Sequence, residues 1–282
     1  MLDAISAEAL KFNRHRATWG LVWIWPIGIV LLFAVIMVAR LLGAESGGRE
    51  QSAAEWIGAA AGFWNVPPHT FGRYVVGAFT AVVFAGEYGW NTWKLIVPHR
   101  ARTSLIAAKY AVGFGLLAIG FVLAAGLFNL FGWLADIVAA APIPAGITAG
   151  ALLEAHGRGA LASLAPVLLT IGYVSLAAVV TRSAVAALVI GLVVTTVEQL
   201  FLTFGPMLAL RAPTLVELAY QVLPGQHLAN LGSFILTGSG TPVPLPSGVL
   251  TFGWAVSLAV VAGWIAALIG LTIALFRRQD IN

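Results

Sequence analysis

Six apolar runs recur along this sequence, and the short segments between them hold most of the charged residues. A run of about twenty apolar residues has the length that an α-helix needs to cross the hydrocarbon core of a bilayer. The runs cover residues 19–38, 70–85, 111–131, 160–180, 184–204 and 249–276. They predict an all-α, polytopic membrane protein with six transmembrane helices.

The proportion of charged residues leads to the same fold class. Only 9% of the 282 residues are charged, whereas soluble domains have about 25%. No segment between the runs is long enough for a separate water-soluble domain, so we expect residues 1–282 to form a single transmembrane domain. The net charge of +4 does not indicate nucleic-acid binding, because the basic residues follow the membrane topology and would meet membrane lipids instead.

The distribution of basic residues predicts the orientation of the chain. Residues 1–18 have an apolar and a charged face and predict a helix that lies in the cytoplasmic membrane interface. Six spans then place both termini in the cytoplasm. The outer side receives five of the 15 basic residues, and the inner side receives the other ten, including all three lysines. This bias follows the positive-inside rule for a multi-pass protein of the cell membrane. The five outer residues are Arg40, Arg49, Arg73, Arg158 and Arg211.

Residues 86–109, which we call the inner loop, form the most polar stretch between apolar runs. The loop is longer than a simple reversal of the chain requires. Its aromatic and apolar residues predict a short helix on the membrane surface. Such a helix could receive a partner protein, or it could anchor the chain, with tryptophan at the depth of the headgroups and basic residues beside lipid phosphates. Composition alone leaves both interpretations open.

The inner loop also resembles the first cytoplasmic loop of type-2 permeases, the ABCG-like membrane subunits of ATP-driven ABC exporters. These proteins have a Glu that ends the second span, then Gly-Thr, an apolar pair, Pro, Arg, and a Lys that opens the third span. Two departures are present: Asn91 replaces the usual Gly, and one extra residue after the Pro makes Arg100 an alternative to Arg102. The matching residues are Glu87, Asn91, Thr92, Leu95, Ile96, Pro98, Arg102 and Lys109.

This resemblance extends to the layout of the whole chain and implies the partners. It implies two copies of an ABC ATP-binding subunit and a second permease subunit, in a homodimer or pseudo-dimer. ATP and Mg²⁺ would bind the partner, because this sequence has no Gly-x4-Gly-Lys-Ser/Thr phosphate loop. The residues expected to couple to the ATPase are Glu87, Tyr88, Trp90, Asn91, Thr92, Trp93, Lys94, Pro98, Arg100 and Arg102.

Glu198 is the one carboxylate that falls clearly within an apolar run. A lone charge in the membrane costs on the order of 3 kcal/mol, so we expect Glu198 to be paired, protonated or facing water. Arg73 should reach a similar depth from the outer face. One hypothesis makes the two residues a structural pair. The other places Glu198, together with Thr195, Gln199 and Arg73, along the outer end of a translocation path.

The remaining polar residues predict neither a catalytic nor a metal site. The sequence has no cysteine and no Gly-x-Ser-x-Gly motif. Scattered interfacial histidines are the favoured interpretation of the outer polar residues, because their spacing defines no zinc site. A partner-free secondary transporter or channel, and an integral-membrane enzyme, remain the alternatives. The outer residues that could in principle gather a metal are His69, His156, His227, Asp136 and Glu154.

The long outer segment 205–248 contains six prolines and two apolar stretches that are too short to span. The stretches cover residues 215–222 and 227–236. They predict a broken hairpin that re-enters the membrane or caps the outer surface, or else a covered loop.

Overall fold

The computed structural model describes residues 2–42, 51–89, 92–139 and 141–280. Within them the chain is almost entirely helical. The helices are α1 (Leu2–Asn13), α2 (Arg16–Leu21), α3 (Ile24–Leu41), α4 (Ala53–Ala60), α5 (Thr70–Gly89), α6 (Trp93–Ile96), α7 (Arg102–Val138), α8 (Ala149–Thr181), α9 (Ala184–Leu208), α10 (Pro213–Val222), α11 (Pro224–Thr237) and α12 (Trp254–Arg278). Single 3₁₀ turns cover Gly62–Asn65 and Val97–His99, and two short strands, β1 (Val243–Leu245) and β2 (Gly248–Leu250), pair antiparallel.

Four of the described helices, α7, α8, α9 and α12, are long and apolar enough to cross a membrane. They establish an α-helical, multi-pass membrane protein. Helix α3 is apolar but shorter, and α5 carries Arg73 and Glu87 within its twenty residues. That α3 and α5 also cross the membrane, as the first and second of six spans, therefore remains part of our proposal.

Helix α5 lies at the centre of the bundle. It packs against α8, α9 and α2, and twelve of its twenty residues are buried. A helix enclosed by other helices does not need an apolar surface for lipid, which explains why α5 is the least apolar of the predicted spans. Helices α9 and α12, at the periphery, bury only a small part of their apolar stretches within the chain.

The N-terminal region is divided more finely than the sequence predicted. The helix expected over residues 1–18 ends at Asn13, and the Nδ1 atom of His15 accepts a hydrogen bond from the Ala17 amide (3.1 Å), which caps α2. The first span, expected over 19–38, is interrupted between α2 and α3. Pro26 lies in the first turn of α3, where a missing backbone N–H costs little.

The prediction that the fourth span begins at residue 160, after a loop, is wrong. Helix α8 begins at Ala149, and the Thr148 hydroxyl accepts a hydrogen bond from the Ala151 amide (3.1 Å). Glycines made this stretch look like a loop in the sequence. Gly159 is instead a packing residue, because a Cβ there would lie 2.7 Å from Trp64.

The outer segment contains two short helices, α10 and α11, and a β-hairpin that the sequence did not predict. In this hairpin Val243 lies opposite Leu250. The prediction that the sixth span begins at residue 249 is therefore wrong, since α12 begins at Trp254. The apolar residues Val249 and Leu250 of β2 run on into the apolar sequence of α12, so they resembled the start of a span.

A buried polar network fastens the outer segment to α12. His227 and Asn230 on α11 lie 3.1 Å and 2.8 Å from the Ser257 hydroxyl on α12. The Asn230 carbonyl oxygen also accepts a hydrogen bond from the Thr241 amide (2.8 Å). Because each buried polar group finds a partner, this segment has a defined position on the bundle.

Candidate functional site

The inner loop is closed at its base by an ion pair between Glu87 and Lys109. The Lys109 Nζ lies 2.7 Å from Glu87 Oε1 and donates a second hydrogen bond to the Val83 carbonyl (2.7 Å). Lys109 is fully buried and Glu87 nearly so. The pair joins the end of α5 to the first turns of α7, which gives a physical reason for a Glu and a Lys at the two ends of this loop.

Helix α1 contributes two further charges to this cluster. Lys11 binds Glu87 and lies 2.9 Å from Glu8, and Lys109 lies 3.5 Å from Glu8. Burial disfavours the charged form of Lys11, but the carboxylates of Glu87 and Glu8 outweigh it and raise the pKa of Lys11. The Lys11 ammonium also lies 4.4 Å from the centre of the Phe12 ring, within range of a cation–π contact. The amphipathic N-terminal helix is thereby fixed to the base of the inner loop.

The middle of the inner loop is fastened to the C-terminal end of α12. Trp93 is buried against Phe276, with the ring centres 4.6 Å apart. Arg102 donates hydrogen bonds to the carbonyls of Arg277 (2.8 Å) and Gln279 (2.6 Å). These carbonyls end a helix and lack partners within it, so an arginine there satisfies both their hydrogen bonds and the helix dipole.

A third contact joins α5 to the same C-terminal segment. The Tyr88 hydroxyl donates to the Gln279 side chain (2.6 Å), which in turn donates to the Val179 carbonyl on α8 (2.5 Å). The Thr92 amide donates to the Glu87 carbonyl (3.0 Å). The inner loop, the helices α5, α7 and α8, and the C-terminal segment after α12 are therefore joined by direct contacts.

The predicted coupling residues differ in burial: Glu87 and Trp93 are buried, and Tyr88, Thr92 and Arg102 are half-buried. Trp90 and Asn91 lie outside the described residues. The exposed set is Lys94, Pro98 and Arg100, and Leu95 beside them is 71% exposed. Arg100 pairs with Asp3 at 3.1 Å on the surface. We call residues 94–100 the exposed edge of the inner loop.

Arg73 and Glu198 form a second buried ion pair, between α5 and α9. Two guanidinium nitrogens lie 3.0 Å and 3.2 Å from the two carboxylate oxygens. The third guanidinium nitrogen, Nε, donates to the Thr170 hydroxyl on α8 (2.8 Å). The fork-to-fork geometry is the strongest that this pair can adopt. The depth argument thus correctly paired these residues, and their role in a path is a separate question.

Other polar residues around this pair were missed by sequence reasoning. The Tyr173 hydroxyl lies 3.5 Å from Glu198, and Tyr74 and Thr196 share a hydrogen bond (2.5 Å) between α5 and α9. Thr170 and Tyr173 are three residues apart and so share one face of α8. That spacing was the available signal.

Two cavities meet at Glu198. The first, about 460 Å³, is almost entirely apolar and lies between α8, α9, α12 and the α10–α11 hairpin. The second, about 290 Å³, has mixed polar and apolar walls and is bounded by α5, α8, α9 and α11. We call them the apolar cavity and the polar cavity. Glu198 and Gly225 line both of them.

The other two predicted path residues occupy different environments. Gln199 lines the polar cavity beside Arg73 and Glu198. Thr195 is buried, and its hydroxyl donates to the Gly191 carbonyl one turn earlier (2.8 Å). The structure therefore places Gln199 beside the ion pair. The Thr195 hydroxyl instead bonds to the backbone of α9, the helix to which Thr195 belongs.

The outer acidic and histidine residues contact separate partners. Asp136 accepts a hydrogen bond from the Trp56 indole (2.8 Å), and His156 accepts one from the Trp64 indole (3.0 Å). Within the described residues, no group of three or more His, Cys, Asp or Glu could hold a metal ion.

These features define a multi-pass helical membrane protein with one charge cluster at the base of the inner loop and another beside internal cavities. The family model described as "ABC-2 family transporter protein" matches residues 4–198, more than half of the chain. The chain therefore belongs to the ABC-2 family of transporter proteins, the membrane components of ABC transporters. Comparison with curated proteins and with solved structures returned no match.

Proposed function

We propose that this chain is the permease subunit of an ATP-driven exporter in the cell membrane. It crosses the membrane six times, with α3 and α5 as the first two spans and both termini in the cytoplasm. Two ATP-binding subunits hold the nucleotide and Mg²⁺, and a second permease subunit completes a homodimer or pseudo-dimer. The observation that carries the proposal is the inner loop, which combines a firmly held base with an exposed edge.

The exposed edge is the surface that we assign to the ATPase. Lys94, Leu95 and Arg100 combine basic charge with an apolar side chain that is exposed in this chain. Interfaces between proteins commonly place an apolar contact inside a charged rim. Arginine at such an edge can bind a carboxylate of the partner through two parallel hydrogen bonds.

The residues of the inner loop that contact the long helices would transmit the motion. Trp93 and Arg102 bind the end of α12, and Glu87 joins α5 to α7. A push on the exposed edge therefore acts on three long helices together. Arg102 was expected from the sequence to contact the ATPase. Its bonds to the Arg277 and Gln279 carbonyls favour a transmitting role.

The passage in this proposal runs beside the Arg73–Glu198 pair. The support is the position of the pair between two cavities, with Gln199 on the wall of the polar cavity. Glu198 lies fourteen residues after Ala184 at the inner end of α9. At about 1.5 Å per residue this is roughly 21 Å, or two-thirds of the way across a core of about 30 Å.

The test is co-purification with the ATP-binding subunit of the same system. We expect Leu95→Asp combined with Arg100→Glu to lose most of the bound ATPase, while the permease still inserts. Arg211→Glu is the matched control, because Arg211 is an exposed arginine that the proposed topology places on the opposite face. Full retention of the ATPase by the double variant would refute the coupling assignment. Transport by the parent chain without any ATPase would favour a partner-free secondary transporter or channel.

The topology has its own test. Reporters fused after the last residue and within residues 94–102 should report cytoplasm, and a reporter near Ser239 should report the outside. An outer C-terminus would require an odd number of spans and would refute the six-span arrangement.

A further inference from the structure

The two cavities beside Glu198 differ sharply in chemistry although they share a wall. The apolar cavity is surrounded by aliphatic and aromatic side chains, and only a few polar groups reach its edge. The principal lining residues are Val193, Val197, Phe201, Leu223, Trp264 and Leu268. Its volume of about 460 Å³ lies within the range of sites for drug-sized molecules.

The apolar cavity reaches the side of the helix bundle. Val193 and Val197 line it and are also more than half exposed on α9. Exposed apolar residues on a spanning helix face lipid or another subunit. The opposite wall is fixed in place, because the Trp264 indole donates to the Val222 carbonyl (2.8 Å) at the end of α10. An apolar molecule could therefore enter from the bilayer between α9 and the outer hairpin.

The polar cavity presents hydrogen-bonding groups of both kinds and little net charge. Arg73, Glu198, Gln199, Asn65 and Ser233 all contribute to its walls. The two charged residues neutralise each other through their bidentate pair. A group in this cavity therefore meets donors and acceptors, and the described residues that line it provide no unpaired charged side chain.

Gly225 makes the junction between the cavities possible. A Cβ atom at this position would lie 2.8 Å from the Glu198 Cγ. The start of α11 can thus approach the carboxylate only because residue 225 has no side chain. Both Gly225 and Glu198 border both cavities, so one molecule that passes them would touch an apolar and a polar compartment together.

We propose that this site binds an amphiphile with an apolar chain in the apolar cavity and an uncharged, hydrogen-bonding head in the polar cavity. A charged head would have to leave water without a counter-ion, since Arg73 and Glu198 already satisfy each other. A head with several hydroxyl or amide groups would instead use the donors and acceptors of the wall. As the substrate class of the exporter, this inference rests on the proposed function. As a binding site, it can be tested without any ATPase.

The experiment uses the full chain in lipid nanodiscs and three photoreactive alkyl probes of equal chain length. One has a glycoside head, one a sulfate head and one a trimethylammonium head. We expect the glycoside to label residues of α9, α10 and α11 around the apolar cavity, with saturation by the unlabelled alkyl glycoside. The two charged probes should label these residues far more weakly.

Two pairs of variants identify the site. Val197→Trp should reduce the labelling about tenfold by filling the cavity. Val189→Trp should leave it unchanged, because Val189 is a similarly exposed valine of α9 that does not line the cavity. Gly225→Ala should also reduce the labelling by displacing Glu198, and Gly263→Ala, where a Cβ would meet open space, should not.

Two results would overturn the inference. Equal labelling by all three heads would identify an unselective lipid groove. Labelling that Val197→Trp and Gly225→Ala leave intact would place the bound probe elsewhere. Because no nucleotide or partner is present, either result stands apart from the co-purification test of the proposed function.

Discussion

Two buried ion pairs involve α5, and they lie in different surroundings. Glu87 and Arg73 are fourteen residues apart on this helix, or roughly 21 Å at 1.5 Å per residue. Lys109 beside Glu87 is completely enclosed by Phe12, Trp93 and the Val83 carbonyl. Arg73 and Glu198 lie instead at the wall of the polar cavity.

This difference assigns a structural role to the Glu87–Lys109 pair and a place beside the proposed passage to the Arg73–Glu198 pair. Buried charges stabilise a fold only weakly in net terms, but loss of one partner is costly when water cannot reach the other. Because Glu87 and Lys109 are almost completely buried, removal of either partner should strongly destabilise the fold. The Arg73–Glu198 pair lies beside space that a molecule or water could occupy, so its loss should affect binding more than assembly.

The largest expected effect is that of Lys109→Met. The change removes the enclosed ammonium and leaves Glu87 with only Lys11, which is part-exposed. We expect a loss of about 3–5 kcal/mol in the free energy of unfolding, measured as a large fall in thermal stability and in folded yield. Lys94→Met is the matched control, because Lys94 is exposed. Equal stability of the two variants would show that the Glu87–Lys109 pair does not stabilise the fold.

Glu198→Gln should be less damaging. Glutamine keeps the size and part of the hydrogen bonding, but Arg73 loses its counter-charge. The polar cavity offers room for water to compensate, so we expect a loss of roughly 1–3 kcal/mol in the free energy of unfolding. Assembly and basal ATP hydrolysis should persist while export changes.

Two outcomes would reverse this assignment. A collapse in stability as severe as that of Lys109→Met would make Arg73–Glu198 a purely structural pair. Assembly, hydrolysis and export identical to the parent would exclude Glu198 from the passage.

Sequence reasoning paired Glu198 with Arg73 from their expected depth in the membrane, and the structure confirms this pair. Sequence reasoning also identified Glu87 and Lys109 at the two ends of the inner loop but did not predict their ion pair. It could not predict that Trp93 packs on Phe276, because the two residues are distant in sequence and belong to different helices.

The cavities and the first residues of α8 and α12 could not be predicted from the sequence either. The apolar cavity depends on how the α10–α11 hairpin packs, which requires the close approach at Gly225. Helix α8 extends through several glycines because tertiary packing overrides their weak helix propensity. At Gly159 that packing is against Trp64.

A smaller effect is expected at the surface pair between Arg100 and Asp3. Both side chains are substantially exposed, and such pairs contribute at most about 1 kcal/mol. Asp3→Asn should therefore leave the thermal stability unchanged. It should also leave Arg100 free to bind the ATPase, so the co-purified amount should stay the same or rise. A marked fall in stability would mean that the pair fastens α1 to the inner loop.

The smallest effect is a pH dependence at Lys11. The pKa of Lys11 is raised in the folded chain above the ordinary lysine value of 10.5, so the contribution of Lys11 to stability is complete below that pH. The contribution is lost as the pH rises through the higher folded pKa. Lys11→Gln should lower the thermal stability slightly at pH 8, and the difference from the parent should shrink above pH 10.5. A difference that stays constant across this range would contradict the assignment.

The most direct test of the contrast between the two pairs uses the absence of native cysteine. A single cysteine can then be placed beside each pair without background reaction, as Gln199→Cys in the polar cavity or Ala108→Cys next to Lys109. A water-soluble thiol reagent is added to both faces of the membrane, and the modified fraction is measured over time. We predict modification of the Gln199→Cys variant and none of the Ala108→Cys variant. An unreactive Gln199→Cys variant, or equal reactivity of the two, would contradict a passage beside Arg73 and Glu198.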